Sequence, residues 1–271
     1  RMSKARDSIE DLKTIDANLA AKAPLASPVF TGNVGVGVTP ETGWQSYQAI
    51  RLGGVASLWS STAKAANGHT QFGNNVYRDS SGNDKYIVTD EASKYRQGSG
   101  GHHFSVAASG SANAAISFNE AMAINNAGIV TKPLQPAFSA QAVATNNFGV
   151  GAWHTMNCTE IFDNNADFNP STNKFTAPVT GRYQLNLTLR LDNLQTNASY
   201  FYVNIQTSNR QNYSIMATDG YDAAVPYFGI STSVLADMDA GDTANVNYYI
   251  ASGSSVSDIH NETRFTGFLA C

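Results

Sequence analysis

The most regular pattern in the chain is Tyr183-Gln184-Leu185-Asn186-Leu187-Thr188-Leu189-Arg190-Leu191. Apolar and polar residues alternate along it, so an extended backbone would place all of the apolar side chains on one face. The pattern predicts an antiparallel strand with one face in a core and the other in water. Further strand patterns follow, separated by turn-forming residues, at 200–207, 213–218, 227–235, 243–250 and 263–269. This half of the chain is therefore predicted to be a β-sandwich or a jelly roll.

Five motifs in a fixed order surround that strand. They are Pro136-Ala137-Phe138-Ser139-Ala140, the spacing Asp163-x4-Phe168-x6-Phe175-x5-Gly181-x-Tyr183, the turn Pro178-Val179-Thr180-Gly181, the hairpin from Leu235 to Asp242, and Phe265-Thr266-Gly267-Phe268-Leu269. Together they resemble complement C1q-like domains, although Asn157 replaces a Phe, and Leu185 and Leu187 replace aromatic residues. The resemblance implies a ten-stranded jelly roll over 133–271 that packs as a homotrimer. The signature residues are Phe168, Phe175, Gly181, Tyr183, Gly241, Asp242, Phe265, Gly267 and Phe268.

The resemblance also implies that both termini lie at the base of this domain and that four connections lie at its apex. These connections correspond to 145–152, 192–198, 219–226 and 251–260. Amide, hydroxyl, carboxylate and aromatic groups recognise sugars by hydrogen bonding and ring stacking. The alternative is that these are ordinary solvated loops. The predicted receptor-binding residues are Asn146, Asn147, Asn193, Gln195, Asn197, Tyr221, Asp222, Ser254, Asp258 and His260.

Residues 41–132 are polar, rich in small residues and without a regular period. Short strands are predicted at 49–52, 56–59, 85–88, 103–107 and 114–118. A single chain with so few large aliphatic residues would bury little apolar area, which favours packing between chains. We therefore expect a β-rich, intertwined shaft domain, and the segments around His102–Phe104 and Glu120–Ile124 are similar to shaft regions of phage fibres.

Residues 1–23 are predicted to form a helix, because apolar residues recur at three- and seven-residue spacings. The repeat is too short to be stable alone, so it is interpreted as the end of a trimeric coiled coil that continues upstream. An isolated amphipathic helix packed on a globular domain is the alternative. The residues of the predicted seam are Ala5, Ile9, Leu12 and Leu19.

Prolines at 24 and 28 end the helical pattern, and 24–40 is predicted to be a linker with short strands. The run Leu25-Ala26-Ser27-Pro28-Val29-Phe30-Thr31-Gly32 resembles a segment that recurs in bacteriophage tail fibres. In those proteins it follows a coiled coil and precedes a β-rich shaft. The same order of segments is predicted here.

Composition and charge exclude several functions. Only 14% of the 271 residues are charged, against about 25% in average soluble proteins. From residue 136 onward, 5 basic and 11 acidic residues give a net charge of −6, which disfavours nucleic-acid binding. The uncharged stretches contain Pro, Gly and Asn, so membrane insertion is not expected. No signal-peptide pattern opens the sequence, and Cys158 and Cys271 form no disulfide framework.

No sequence motif for a hydrolase nucleophile, a phosphate-binding loop or a zinc protease occurs, so the protein is not expected to be an enzyme. Asp237, Asp239 and Asp242 are interpreted as a hairpin turn, because their spacing does not fit an EF-hand loop. No cofactor is expected. The adjacent His102 and His103 from three chains, or a structural calcium on the three-fold axis, are the ion sites left open.

The order of these segments predicts a bacteriophage tail-fibre protein, located in the virion, whose trimeric tip attaches to a glycan or protein receptor on the bacterial surface. The chain is expected to be part of a longer fibre, whose preceding part would contact other phage tail or baseplate proteins. The alternative is a secreted or cell-surface C1q-like lectin or adhesin. Five Asn-x-Ser/Thr acceptors favour that alternative, at Asn157, Asn186, Asn197, Asn212 and Asn261.

Overall fold

A computed structural model describes residues 30–64, 66 and 68–271. The predicted coiled-coil residues Ala5, Ile9, Leu12 and Leu19 and the prolines of the linker lie outside the described residues. Within the described part of the chain, all regular structure is β, and no helix could cross a membrane. The chain divides after residue 132 into two compact units, here called the N-terminal unit and the C-terminal unit.

The N-terminal unit contains one large antiparallel sheet and one hairpin. The large sheet has the order β1-β2-β3-β4-β7-β8-β9-β10, with β1 and β2 parallel, and the hairpin is β5-β6. Its strands are β1 (Val34–Val36), β2 (Tyr47–Leu52), β3 (Ala56–Ser61), β4 (His69–Asn74), β5 (Val76–Arg78), β6 (Asp84–Tyr86), β7 (Asp90–Gly98), β8 (Gly101–Gly110), β9 (Asn119–Ile124) and β10 (Val130–Thr131).

These strands pair with neighbours of the same chain. Intertwining of this unit between chains stays a prediction. The predicted strand at 114–118 is absent. In its place Ala115 makes a single bridge to Lys85, while the side chains of Ile116 and Phe118 pack on two small cores. Strands β4 and β7 were not predicted, because their polar sequences show no apolar alternation.

The C-terminal unit consists of two facing sheets. One has the order β13-β11-β22-β16-β19 and is here called the A sheet; the other, β14-β15-β20-β17-β18, is the B sheet. Two short strands add to these, since β21 pairs with β16 and β12 with β20. The strands are β11 (Ala137–Ala142), β12 (Trp153–Thr155), β13 (Cys158–Asp163), β14 (Phe168–Asn169), β15 (Lys174–Thr176), β16 (Gly181–Leu194), β17 (Tyr200–Thr207), β18 (Gln211–Ala217), β19 (Val225–Met238), β20 (Thr243–Ile250), β21 (Asp258–Ile259) and β22 (Arg264–Leu269).

The alternating leucines of β16 all lie in the core between the sheets, as the sequence pattern predicted. Ten strands form the two main sheets, so the predicted ten-stranded jelly roll is confirmed. The first and last strands are neighbours, with Ala137 opposite Phe268. The other end of the unit carries the four long connections, because Tyr200 lies opposite Ala217 and Leu194 opposite Val225.

Candidate functional site

Three of the predicted apex connections meet at the carboxylate of Asp258. Its Oδ1 accepts a hydrogen bond from the backbone nitrogen of Asn147 at 2.6 Å, and its Oδ2 accepts one from Asn193 Nδ2 at 2.8 Å. Both asparagines have a positive φ, of 51° and 55°, which Asn adopts more readily than most residues. Asp258 therefore ties the β11–β12 loop to the end of β16.

Gln195 supports these loops from inside the unit. Its Oε1 accepts a hydrogen bond from the backbone nitrogen of Ser254 at 2.7 Å, and only 6% of its surface is exposed. The sequence analysis counted Gln195 among the receptor-binding residues, and its burial corrects that placement. A side chain at this position can shape the loop but cannot touch a receptor.

His260 belongs to a charged cluster beside the same loops. Arg190 donates hydrogen bonds to Asp192 at 2.8 Å and to Glu262 at 2.6 Å, and its guanidinium lies 5.0 Å from the centre of the Tyr227 ring. His260 Nδ1 accepts a hydrogen bond from the backbone nitrogen of Glu262. The hydrogen bond from Arg190 lowers the pKa of the Glu262 carboxyl group, so this group stays ionised. The cluster orders the turn after β21.

The remaining predicted apex residues are exposed. Tyr221 packs edge-on against Phe228, with 6.2 Å between ring centres. Asn146, Asn197 and Asp222 lie on the surface of three different loops. The apex therefore has an ordered part around Asp258, and around it polar side chains that are exposed on separate loops.

The buried aromatic signature residues, Phe168, Phe175, Tyr183 and Phe265, belong to the core of this unit. Phe138 stacks between Phe168 and Phe175, with ring centres 5.4 and 4.7 Å away. Tyr183 is fully buried and donates a hydrogen bond to the carbonyl of Val179 at 2.8 Å. Phe268, by contrast, is 46% exposed and lies on the outer face of the A sheet, outside the core. Strand alternation explains this, because Gly267 next to it faces inward.

The hairpin from β19 to β20 has the turn geometry that the sequence suggested. Asp242 Oδ2 accepts hydrogen bonds from the backbone nitrogen of Asp239 at 2.8 Å and from Asn209 Nδ2 at 2.5 Å. Gly241 has a φ of 92°, which only glycine adopts at little cost. The backbone hydrogen bond lowers the pKa of the Asp242 carboxyl group. Among the described residues, no three His, Cys, Asp or Glu side chains are grouped as metal ligands would be.

A cluster of aromatic rings covers the outer face of the B sheet near the apex. The ring centre of Trp153 lies 5.2 Å from Tyr249, 5.8 Å from Tyr213 and 6.0 Å from Tyr202. Tyr200 extends the cluster, 4.9 Å from Tyr202. We call these five residues the aromatic surface. Trp153 and Tyr213 are about half exposed, so rings that usually lie in cores face solvent here.

The two-sheet unit matches a known domain family. Residues 137–270 match the C1q domain. Among solved structures, the chain is similar to the globular domain of zebrafish complement 1qA protein (17% identity, 51% of this chain and 98% of that chain, TM-score 0.38). It is also similar to murine APRIL (11% identity, 50% of this chain and 98% of that chain, TM-score 0.37). No curated protein matches the chain.

The C1q-like unit has the chemistry of a binding module. C1q-like domains are typically non-enzymatic binding domains, and no enzyme family is indicated for this chain. Its buried thiol, Cys158, is a poor nucleophile, because burial raises the pKa of that group to about 12.

The sequence analysis of the C1q-like unit missed the aromatic surface, although a signal for it exists. Along β17, Tyr200 and Tyr202 alternate with Phe201 and Val203, so both faces of the strand are apolar. Only one of those faces can point into a two-sheet core, so the other must be exposed or covered by a partner. The contribution of β12 could not be predicted, because this three-residue strand is recognisable only from its pairing with β20.

Proposed function

We propose that this chain is the end of a bacteriophage tail fibre, and that its C1q-like unit attaches the virion to a glycan on the bacterial surface. The observation that supports binding is the exposed aromatic surface beside the ordered apex loops. The phage context is supported by the Leu25–Gly32 motif and by its position between a coiled-coil pattern and a β-rich unit. This function needs no cofactor and no reaction.

The fibre acts as a homotrimer in this proposal. On the outer face of the A sheet, Phe268 and Leu235 lie on either side of Gln184 in one row across three strands, and both are about half exposed. Phe162, on β13 at the edge of the same sheet, adds a second exposed ring. Apolar groups aligned in this way are stabilised when another copy of the unit covers them. Three weak sites on one fibre then bind far more tightly than one.

Adhesion of the full chain to bacteria tests the proposal. The protein, labelled on the exposed Cys271, is incubated with a panel of bacterial strains, with and without periodate oxidation of their surface sugars. We expect saturable binding to a subset of strains that periodate abolishes. Binding that survives periodate but is lost after protease treatment would indicate a protein receptor. Adhesion to no strain would contradict the attachment function, and release of reducing sugar from cell-wall polysaccharide would contradict a non-enzymatic role.

A secreted C1q-like lectin without a role in a virion is the second candidate. Three of the five glycosylation acceptors, Asn157, Asn197 and Asn261, lie exposed on the C1q-like unit. Mass spectrometry of the protein from its natural source distinguishes the two functions. N-linked glycans at these positions would favour the secreted lectin, and their absence together with recovery of the chain in virions would favour the fibre.

A further inference from the structure

A cleft of about 200 Å³ opens on the outer face of the B sheet, next to the aromatic surface. We propose that this cleft is a binding site for a neutral hexose unit of a glycan. The inference rests on the proposed function, for which it names the contact site and the class of ligand. None of the predicted apex residues lines it. The residues that carry the argument are Trp153, Thr155, Asn204, Gln206, Tyr213 and Asn247.

Strand register places these side chains on one face. Thr155, Asn247, Asn204 and Tyr213 lie opposite one another across β12, β20, β17 and β18, and paired residues point to the same side of a sheet. Trp153 lies two residues before Thr155 on β12, so its side chain is on the same face. The site is therefore built on four adjacent strands, a rigid base for a binding site.

Hydrogen bonds orient the amides of the cleft. Asn247 Oδ1 accepts from Thr155 Oγ1 at 2.9 Å, and Asn247 Nδ2 donates to Gln206 Oε1 at 2.5 Å. Asn204 Oδ1 accepts from the backbone nitrogen of Asn212 at 2.9 Å. These bonds fix which end of each amide faces the cleft. Within the described part of the chain, Gln206 Nε2 and Asn204 Nδ2 have no hydrogen-bond acceptor, and neither has Nε2 of Gln211, which also lines the cleft.

Asn204 points to a ligand, because the residue is only 2% exposed while its Nδ2 stays within reach of solvent and has no acceptor among the described residues. A ligand that displaces water from this donor must supply an acceptor in its place, because a donor left unpaired costs free energy. A ligand hydroxyl group reaching into the cleft would accept from Asn204 Nδ2 and Gln206 Nε2 together. Hydroxyl groups on adjacent carbons are the common acceptors of a sugar ring.

The side chains that line the cleft indicate which class of sugar it can bind. Trp153 and Tyr213, with ring centres 5.8 Å apart, present apolar faces on which the C–H face of a pyranose can stack. Among the described residues that line the cleft, none is a Lys, an Arg, an Asp or a Glu, and the ring of His154 stacks on the buried Tyr248 and donates its Nε2 hydrogen to the Gly149 carbonyl. A uronic or sialic acid would lose hydration at such a site without gaining a counter-charge. A neutral hexose fits both the stacking and the hydrogen-bonding groups.

Tryptophan fluorescence gives a direct test with the full chain. Of the three tryptophans, Trp44 and Trp59 are almost fully buried, and Trp153 is 48% exposed at the cleft. Malto-, manno- and galacto-oligosaccharides are titrated as neutral probes, and oligogalacturonate as the acidic one. We expect at least one neutral probe to shift the emission saturably, and oligogalacturonate to have no effect. A response to the acidic probe alone, or to no probe, would overturn the inference.

Three variants locate the binding. Trp153→Ala and Gln206→Ala are each expected to weaken oligosaccharide affinity about tenfold or more, measured by calorimetry. Tyr221→Ala, which removes an exposed ring on an apex loop, is the matched control and is expected to retain affinity. Thermal unfolding of each variant confirms that it is folded. Equal affinity in all three variants would overturn the inference.

Adhesion of the same variants separates this inference from the proposed function. If Trp153→Ala and Gln206→Ala lose both oligosaccharide binding and adhesion to bacteria, the cleft is supported as the contact site. If both variants adhere as the unmodified chain does and Tyr221→Ala does not, the cleft is overturned as the contact site while the attachment function remains. If oligosaccharides bind at Trp153 but no bacterium is bound, the cleft is supported and the attachment function fails.

Discussion

Asn75 shows how one side chain can order a segment of the N-terminal unit. It is almost fully buried, and its Nδ2 donates to the carbonyls of Val88, Asp90 and Glu91, while its Oδ1 accepts from the backbone nitrogens of Ile87 and Val88. Its φ of 57° also suits Asn better than a residue without a polar side chain. The segment before β7 therefore depends on this one amide.

Replacing Asn75 should destabilise the N-terminal unit. We expect Asn75→Ala to lower its free energy of unfolding by about 3 kcal/mol, because several backbone groups lose their partner inside the protein. Emission of the buried Trp44 and Trp59 during urea unfolding, in a Trp153→Phe background, measures the change. Asn126→Ala, at an exposed position, is the control, with an expected change of under about 0.5 kcal/mol. Equal stability of the two variants would contradict this role.

The two cysteines should differ sharply in reactivity. Cys271 is exposed, whereas Cys158 is buried and its pKa is raised to about 12. In native protein at pH 8, we expect a thiol reagent to modify Cys271 quickly and Cys158 only after unfolding. The variant Cys271→Ser should therefore show almost no reactive thiol until urea is added. Rapid modification of this variant would contradict the buried position.

Burial of Cys158 also determines whether this group makes the folded protein more or less stable as the pH rises. The folded state holds the thiol proton more tightly than the unfolded state, where the pKa is near 9. Stability from this group is therefore complete below about pH 9 and is lost as the pH rises toward 12. Urea midpoints measured from pH 8 to pH 10.5 should fall more in the native sequence than in Cys158→Ala. Parallel curves would contradict this linkage.

At the scale of strands and loops, Asp258 connects two segments of the apex through its carboxylate. Asp258→Ala would leave Asn147 and Asn193 without their shared acceptor. We expect faster amide hydrogen exchange in residues 145–151 and 192–197, and little change in β15 at the other end of the unit. Asp222→Ala, on an exposed loop, is the matched control. Unchanged exchange in Asp258→Ala would show that the loops are ordered by other contacts.

Strands could be predicted from the sequence where apolar residues fill the buried positions and polar residues the exposed ones. Where the buried positions are not apolar, the strands could not be recognised. β16 was predictable, because its leucines face a core and the residues between them face outward. β4 was not, because its buried positions hold Gln71 and Gly73 instead of large apolar residues, and β7 buries only Ala92. The apex loops were located through the resemblance to C1q-like domains, which implies where the connections lie. Which of their residues would be exposed could not be predicted, because the burial of Gln195 depends on a hydrogen bond to Ser254, 59 residues further along the chain.

At the scale of the whole molecule, the proposed homotrimer predicts a solution mass of three times the 28.9 kDa of one chain. Leu235→Arg, on the outer face of the A sheet, should weaken assembly, because a charge would be buried between copies. Ile215→Arg, equally exposed on the B sheet, should not. Light scattering with and without a chelator measures both effects. A monomer under all conditions would contradict the trimer, and dissociation by chelator would reveal a structural calcium.

The order of strands in the C1q-like unit also determines how it would carry tension. Its first strand, β11, runs from the base toward the apex and is hydrogen-bonded on both sides, to β13 and β22. If the outer end of the unit is anchored and the chain before residue 133 is pulled, the force runs along these strands. The hydrogen bonds then share the load in shear instead of opening one at a time, as they would in a hairpin pulled apart from its end. A fold with this geometry resists unfolding by a force in this direction, whatever its thermodynamic stability.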